Sequence, residues 1–504
     1  MAQPANVVDS NIHLARLREM RRYGGTVQTT GLEAEVIARF LDSHGELGAA
    51  IQQGYAQFEE LRKTRAELLA LDEADQITAI QRGIINFYAV DAINPYVAAG
   101  AKGPWIVTLK GAVIYDCGGY GMLGLGHAPD VILDAMNQPH VMANIMTPAV
   151  SQMTFIEHLR EEIGQSREGG CPFSHFLCLN SGSESVSIAA RLADVNAKEM
   201  TAKDGRYAGK PVRGLTLKDS FHGRTDRPAQ FSDASIGSYR KYLRSFAGEN
   251  HLLTVEPNDL AELEAVFKQA ETDGFFIEAF FMEPVMGEGN PGQAITPEFY
   301  AKARQLTADH GTLFLVDSIQ AGLRTHGVLS IVDYPGFSDL PAPDMETYSK
   351  ALNAGQYPLS VLAMSARAAH LYRSGIYGNT MTSNPRALDI AVAVLDNFTS
   401  DMRQNIRDRG KELMAKFEAM ADELGDAVTK VQGTGLLLSC ALNERYACHG
   451  AGSTEEYLRK KGLGVIHGGT NSLRYTPTFL MTSEEADLIV SLTRDALLNG
   501  PGAH

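Results

Sequence analysis

A chain of 504 residues has the length for roughly three domains and for a full enzyme subunit. Its 45 basic and 60 acidic residues leave a net charge of −15, which repels phosphate backbones and anionic lipid surfaces and argues against nucleic acid or a membrane as partner. The five cysteines, Cys117, Cys171, Cys178, Cys440 and Cys448, form no CxxC pair, which argues against a disulfide framework or structural zinc and points to a reducing cytoplasm.

The start, Met1-Ala-Gln-Pro-Ala-Asn, has neither the charged nor the apolar region of a signal peptide. The apolar stretch from Phe275 to Met286 is broken by Glu278 and Glu283, so a soluble protein is expected. Arg16, Arg18, Arg21 and Arg22 alternate with apolar residues and read as a solvated helix face. From Leu32 to about Tyr88 apolar residues recur at helical spacing, as in Leu32, Val36 and Phe40 or Ile51, Tyr55 and Phe58. Beyond Trp105 the pattern turns to short β-rich runs, Trp105-Ile-Val-Thr-Leu and Ala112-Val-Ile-Tyr, followed by longer helical stretches; the alternation predicts an α/β fold.

Four later runs read as buried parallel strands: Phe176-Leu-Cys-Leu, Gly214-Leu-Thr-Leu, Ala279-Phe-Phe-Met and Thr312-Leu-Phe-Leu-Val. Each ends at polar residues, where an open α/β sheet places its ligand site. From about Asp401 a long helix, mixed strands and a last helix, Ser483 to Leu498, predict a smaller second domain. Gly119-Tyr-Gly-Met-Leu-Gly124 formally matches a dinucleotide loop, but no acidic residue stands in Pro139–Met146, where a ribose partner belongs, and Pro129 falls where the helix should be established. No HExxH or GxSxG occurs, so zinc-protease and serine-hydrolase readings lack a starting motif.

Asn180-Ser-Gly-Ser-Glu-Ser follows the first of these strands and opens a helical run. Ser181 with Glu184 fits a capping box, which many helices carry without binding anything. The sharper reading adds free N–H groups, hydroxyls and the positive helix end, with Gly182 allowing close approach, to bind a phosphate. Lys350, after a short extended segment in Pro343-Asp-Met-Glu-Thr-Tyr-Ser-Lys, would ordinarily be a solvated charge. Asp317, ending the strand at Thr312, gives it another meaning: such a carboxylate can pair with a pyridinium nitrogen while a lysine supplies the imine and then the base.

At this point the chain resembles the class III aminotransferases, the group containing the ornithine, 4-aminobutyrate and lysine 6-aminotransferases. The landmarks, in family order, are Tyr115-Asp-Cys-Gly-Gly with Gly126-His, Asn180-Ser-Gly-Ser-Glu, Phe221-His-Gly-Arg-Thr, Glu283-Pro-Val-Met-Gly-Glu-Gly, Asp317-Ser-Ile-Gln-Ala-Gly, Ser349-Lys-Ala-Leu, Asn384-Pro and Leu473-Arg-Tyr-Thr-Pro. They span about Val107 to Leu498. The resemblance implies a fold-type I pyridoxal-phosphate enzyme: a mostly parallel sheet in a large domain (151–395) and a smaller α/β domain built from 96–150 and 396–504; the helical extension over 1–95, read from its periodicity, lies outside the resemblance.

The resemblance also implies residue roles. Ser181, Gly182 and Ser183 would bind the cofactor phosphate, and Phe221 would stack on its ring with His222 beside it. Asp317 would face the ring nitrogen, Gln320 the phenolic oxygen, and Lys350 would hold the cofactor as a Schiff base. Thr380 would reach the phosphate bound by a neighbouring subunit, implying a homodimer, or a dimer of dimers, with shared sites. Glu288 and Arg474 would form a gate, the arginine clamping a substrate carboxylate and the glutamate covering it when that substrate end is uncharged or amino-bearing. The expected reaction moves an amino group from an amine or ω-amino acid to a 2-oxo acid such as 2-oxoglutarate. Racemisation, epimerisation, decarboxylation and amino-group shifts begin at the same linkage, and the cofactor residues do not discriminate among them; a non-catalytic protein on the same fold is the remaining alternative. Two departures stand out: Ser318 replaces the glutamate that usually follows the ring-nitrogen aspartate, and the N-terminal region is longer than the family norm. That region is expected to cover the active-site mouth or extend a dimer interface.

Overall fold

The alternation read from the sequence becomes three sheets in the computed structural model, which describes residues 10–43, 45–248 and 251–503. The N-terminal region is helical, with Ser10–Arg22, Ala34–Ser43, Gly45–Thr64, Ala66–Ala70 and Glu73–Ile80. On the first helix Leu17 and Met20 are buried while Arg18 and Arg22 are exposed, and Arg16 lies 5.2 Å from the Tyr55 ring centre. The helix Gly45–Thr64 lies against strand β1 (Ala98–Lys102). A Cβ on Gly100 would stand 2.4 Å from the Gly54 nitrogen, so only glycine permits this approach.

β1 pairs antiparallel with β2 (Trp105–Thr108), and β2 with β3 (Val113–Asp116). Trp105 is fully buried between Phe40 and Tyr115, with ring centres 5.0 and 5.2 Å away. The Lys110 amine, also buried, donates to the carbonyls of Leu69 at 2.9 Å and Leu71 at 2.7 Å, and to that of Gly24. The N-terminal helices are thus part of this core.

The large sheet contains β4 (His175–Leu179), β5 (Val212–Leu217), β6 (Leu252–Val255), β7 (Phe276–Met282), β8 (Leu313–Asp317), β9 (Met345–Tyr348) and β10 (Ser360–Met364), in the order β4-β10-β9-β8-β7-β5-β6. β10 runs antiparallel to both its neighbours, and every other pairing is parallel. Every residue of β7, β8, β9 and β10 is buried, the pattern of a sheet covered on both faces. β4, β5, β7, β8 and β9 all point the same way, so the segments beginning at Asn180, Lys218, Glu283, Ser318 and Ser349 emerge at one edge.

The chain continues through the long helix Ser400–Leu424 into β11 (Val428–Thr434), β12 (Leu437–Leu442), β13 (Leu463–Gly464), β14 (Ile466–Gly468) and β15 (Ser472–Tyr475), and ends in the helix Ser483–Asn499. β11, β12, β15 and β14 form an antiparallel sheet, while β13 pairs in parallel with β3 and ties the C-terminal part to the first sheet. Gly119–Gly124 is a loop, and the next helix, Asp130–Met136, starts after Pro129.

Candidate active site

The first emerging segment caps a helix. Ser181 is the N-cap of Gly182–Met200; its hydroxyl accepts from the Glu184 N–H at 3.4 Å, and the Glu184 carboxylate accepts from the N–H groups of Ser181 at 3.2 Å and Asn180 at 2.7 Å. The N–H groups of Gly182 and Ser183 begin the helix and have no turn behind them to accept, which leaves the positive end of the helix available to an anion. A Cβ on Gly182 would lie 2.6 Å from Ile319 Cδ1, and one on Gly223, at φ 118°, would lie 2.4 Å from the Ser183 hydroxyl. Ser183 is therefore enclosed by chain that approaches closely at two glycines.

At the end of β8, Asp317 is buried. Its Oδ2 lies 2.8 Å from His222 Nδ1, and its Oδ1 accepts from the Ile319 N–H at 3.2 Å. His222 Nε2 is 3.1 Å from the Thr216 hydroxyl, so the imidazole is held between β5 and β8. Glu283 accepts from the N–H groups of Phe221 at 2.9 Å and Gly287 at 3.0 Å. Burial pushes its pKa up to about 7; His222 acts in the opposite direction and Asp317 in the same one. Gln320 donates to the Tyr120 carbonyl at 3.2 Å, and a Cβ on Gly287 would fall 1.6 Å from its Oε1.

Lys350 follows β9 at φ 48°, a left-handed conformation that is costly for a residue with a side chain. Burial lowers its pKa from 10.5 to about 8; Arg474 lowers it further, while Glu288, Asp317 and Glu283 act in the opposite direction. The Ser318 hydroxyl donates to Glu346 Oε1 at 2.6 Å, the Ile331 N–H to the same oxygen at 2.9 Å, and the Ser330 hydroxyl to Oε2 at 2.5 Å. Where the usual glutamate is replaced by Ser318, a buried carboxyl thus reaches that serine from the neighbouring strand. Burial pushes the Glu346 pKa up to about 7, against its hydrogen bonds to Ser318 and Ser330.

Arg474, on β15 and 1% exposed, donates to Glu288 Oε2 at 2.9 Å and to the Gly287 carbonyl, with its guanidinium 5.6 Å from the Tyr120 ring centre. Burial raises the Glu288 pKa, but Arg474, Lys350 and Arg224 outweigh it and hold the carboxyl below its ordinary value. Lys350, Ser183, Phe221, Tyr120, Glu288 and Arg224 line one cavity of about 990 Å³. Asp317 and His222 are joined by their hydrogen bond, and Arg474 reaches the cavity through Glu288. Thr380 does not join it: it is exposed, although its neighbour Asn379 donates to Glu184 at 2.8 Å.

Sequence reasoning missed four residues here. Glu283 lay in a quoted landmark without a role, and Tyr120 lay inside the formal glycine motif. Tyr88, whose ring stacks 6.1 Å from that of Tyr120, and Glu346 carried no signal short of the folded chain.

A helix N-terminus for a phosphate, a buried carboxylate at a strand end and a lysine amine of lowered pKa on a cavity fit pyridoxal phosphate. The chain order and sheet order are those of the fold-type I class of enzymes that carry this cofactor. The ornithine aminotransferase of Toxoplasma gondii superposes with a TM-score of 0.72 at 20% identity, covering 87% of this chain and 98% of that one. A transaminase from the marine bacterium Virgibacillus superposes at 0.70 and 17%, covering 84% and 98%. The sequence pattern of the class-III aminotransferases matches residues 87–497, and the chain belongs to that family. It is a pyridoxal-phosphate-dependent aminotransferase. The acetylornithine aminotransferase of Neisseria meningitidis serogroup B is 28% identical over 401 residues, covering 78% of this chain and 92% of its own. Ornithine aminotransferase 2 of Staphylococcus aureus is 27% identical over 409 residues, covering 79% and 93%.

Proposed function

We propose that this cavity transfers an amino group from an amine or ω-amino acid to a 2-oxo acid such as 2-oxoglutarate, with Lys350 and Asp317 as its catalytic residues. The observation that carries the proposal is that the Lys350 amine opens on the same cavity as Ser183, Phe221 and the Glu288–Arg474 pair. When bound, pyridoxal phosphate supplies a ring that withdraws electrons from the substrate carbon. Asp317, oriented by His222, holds a proton at the ring nitrogen. Ser181, Gly182 and Ser183 would hold the phosphate, and Phe221 and Gln320 would contact the ring. Lys350 would hold the cofactor covalently, and its amine, when free, would carry a proton to and from the reacting carbon. Arg474 clamps the carboxylate of the acid when Glu288 leaves it, and Glu288 neutralises Arg474 when the donor end carries no carboxylate.

The same reading includes a cytoplasmic homodimer in which Thr380 serves the neighbouring subunit's phosphate. Its support is that Thr380 and Met381 are exposed beside Asn379, which is tied to the phosphate-binding helix through Glu184. It also divides the chain into an extension over 1–95, a large domain over 151–395 and a small domain from 96–150 with 396–504. The test is to add donors to the cofactor-loaded enzyme and follow loss of its visible absorption band, then to add 2-oxoglutarate. Recovery of the band with appearance of glutamate is expected; product formation with no need for an acceptor would identify an isomerase instead.

A further inference from the structure

The outer part of the active-site cavity is built by residues to which the family roles assign nothing. Ile77 and Ile80, on the last helix of the N-terminal region, line the cavity together with Phe87, Ile93, Ile106 and Val465. Residues 77–86 precede the part of the chain that matches the family, so this wall is in part this chain's own addition. The wall connects to the reacting end: the Arg224 guanidinium lies 5.2 Å from the Phe221 ring centre and 5.9 Å from those of Phe87 and Tyr88.

The charged groups in this lining are mostly committed to one another. Asp116 pairs with His127 at 2.9 Å and accepts from the Gly118 N–H at 3.0 Å. Arg459 donates to the carbonyls of Val465 and Ala92, each at 3.0 Å, and pairs with Glu455. Glu288 is held by Arg474 at 2.9 Å. The most loosely held is Arg224, a cation 3.8 Å from Glu288. A second ammonium group placed here would meet Arg224, apolar side chains and the neutral amides of Gln81, Asn86 and Asn94, and among the described lining residues each carboxylate, Asp116 and Glu288, already has a cationic or imidazole partner.

We propose, building on the aminotransferase reading of this cavity, that its donor is a primary amine on an apolar body with no second cationic group, selected by the wall at Ile77, Ile80, Phe87 and Ile93. The amino end reaches Lys350 and the apolar body replaces water along the wall. A diamine or diamino acid must strip water from its second ammonium without gaining an uncommitted anionic partner.

The probes are hexylamine and 1,5-diaminopentane, which have the same number of heavy atoms. Their dissociation constants for the cofactor-loaded Lys350→Ala variant, which binds the amine without turning it over, should favour hexylamine by roughly tenfold or more in calorimetry, and kcat/KM of the native enzyme with 2-oxoglutarate should follow. Ile80 is 43% exposed, so Ile80→Asp should fold; its carboxylate should shrink the preference by roughly tenfold, while Ile80→Val should keep it. Equal or tighter binding of the diamine, or an unchanged ratio in Ile80→Asp, would overturn the assignment. Hexylamine preference in binding with no amino group delivered to any 2-oxo acid would leave the wall's selectivity standing and refute transamination.

Discussion

Lys350 sits at a backbone angle that a side-chain-bearing residue adopts at a cost, and its amine is held at a pKa of about 8 rather than 10.5. Between these two values the unfolded chain binds the proton that the folded chain releases, so the contribution of this group to stability rises with pH from about 8 to 10.5. In enzyme freed of its cofactor, the rate at which Lys350 combines with an added aldehyde should climb through about pH 8 and level off above it, which a stopped-flow pH series will show. Lys350→Ala should lower multiple turnover by at least roughly 100-fold, and near-normal turnover would remove the residue from the mechanism. Glu346 has the opposite sign. Its pKa is raised from 4.5 to about 7, so across that window the folded state binds the proton more tightly and stability falls as pH rises. Glu346→Gln should therefore gain thermal stability relative to the native chain on going from pH 5 to pH 8, at roughly 1 °C per kcal/mol for a chain of this length, with the cofactor absent from both samples.

Among the elements, the capped helix after β4 concentrates two demands at one end. Ser181→Ala removes the acceptor for the Glu184 N–H and should cost about 1 kcal/mol of stability, read in urea unfolding, together with weaker retention of the cofactor. This helix start was legible in the sequence because a capping box and a strand-to-helix switch are local patterns. The four apolar runs were legible as strands for the same reason, although β4 departs from the expected buried parallel strand, being an edge strand paired antiparallel with β10 and only partly buried; the strand-end positions of Asp317 and Lys350 were legible as well. β10 was not picked out, although it is a fully buried apolar run, because a run of five such residues does not distinguish strand from buried helix. The Asp317–His222 bond and the Glu346–Ser318 bond are tertiary: each joins a strand residue to the segment following another strand, and which strands lie near one another is set by chain crossovers, not by sequence spacing.

For the whole molecule, the length of the N-terminal region was plain from the sequence but its place was not. The helices from Ser10 to Ile80 pack on the first sheet through Phe40 and Gly54, and Ile77, Ile80 and residues between 81 and 94 contribute to the lining of the cavity. Removing residues 1 to about 90 would expose Trp105 and Val107 and leave the Lys110 amine without the carbonyls of Leu69 and Leu71. Such a truncation is expected to be insoluble; a soluble, fully active product would show that the region is dispensable. Trp105 carries a practical consequence of its own. It is the sole tryptophan of the chain, sealed between Phe40 and Tyr115 at the seam where the helices meet the sheet, so the intrinsic emission of the protein is a reporter of that seam. A red shift during unfolding will time the moment the helical cover lifts away, whatever is happening at the cofactor.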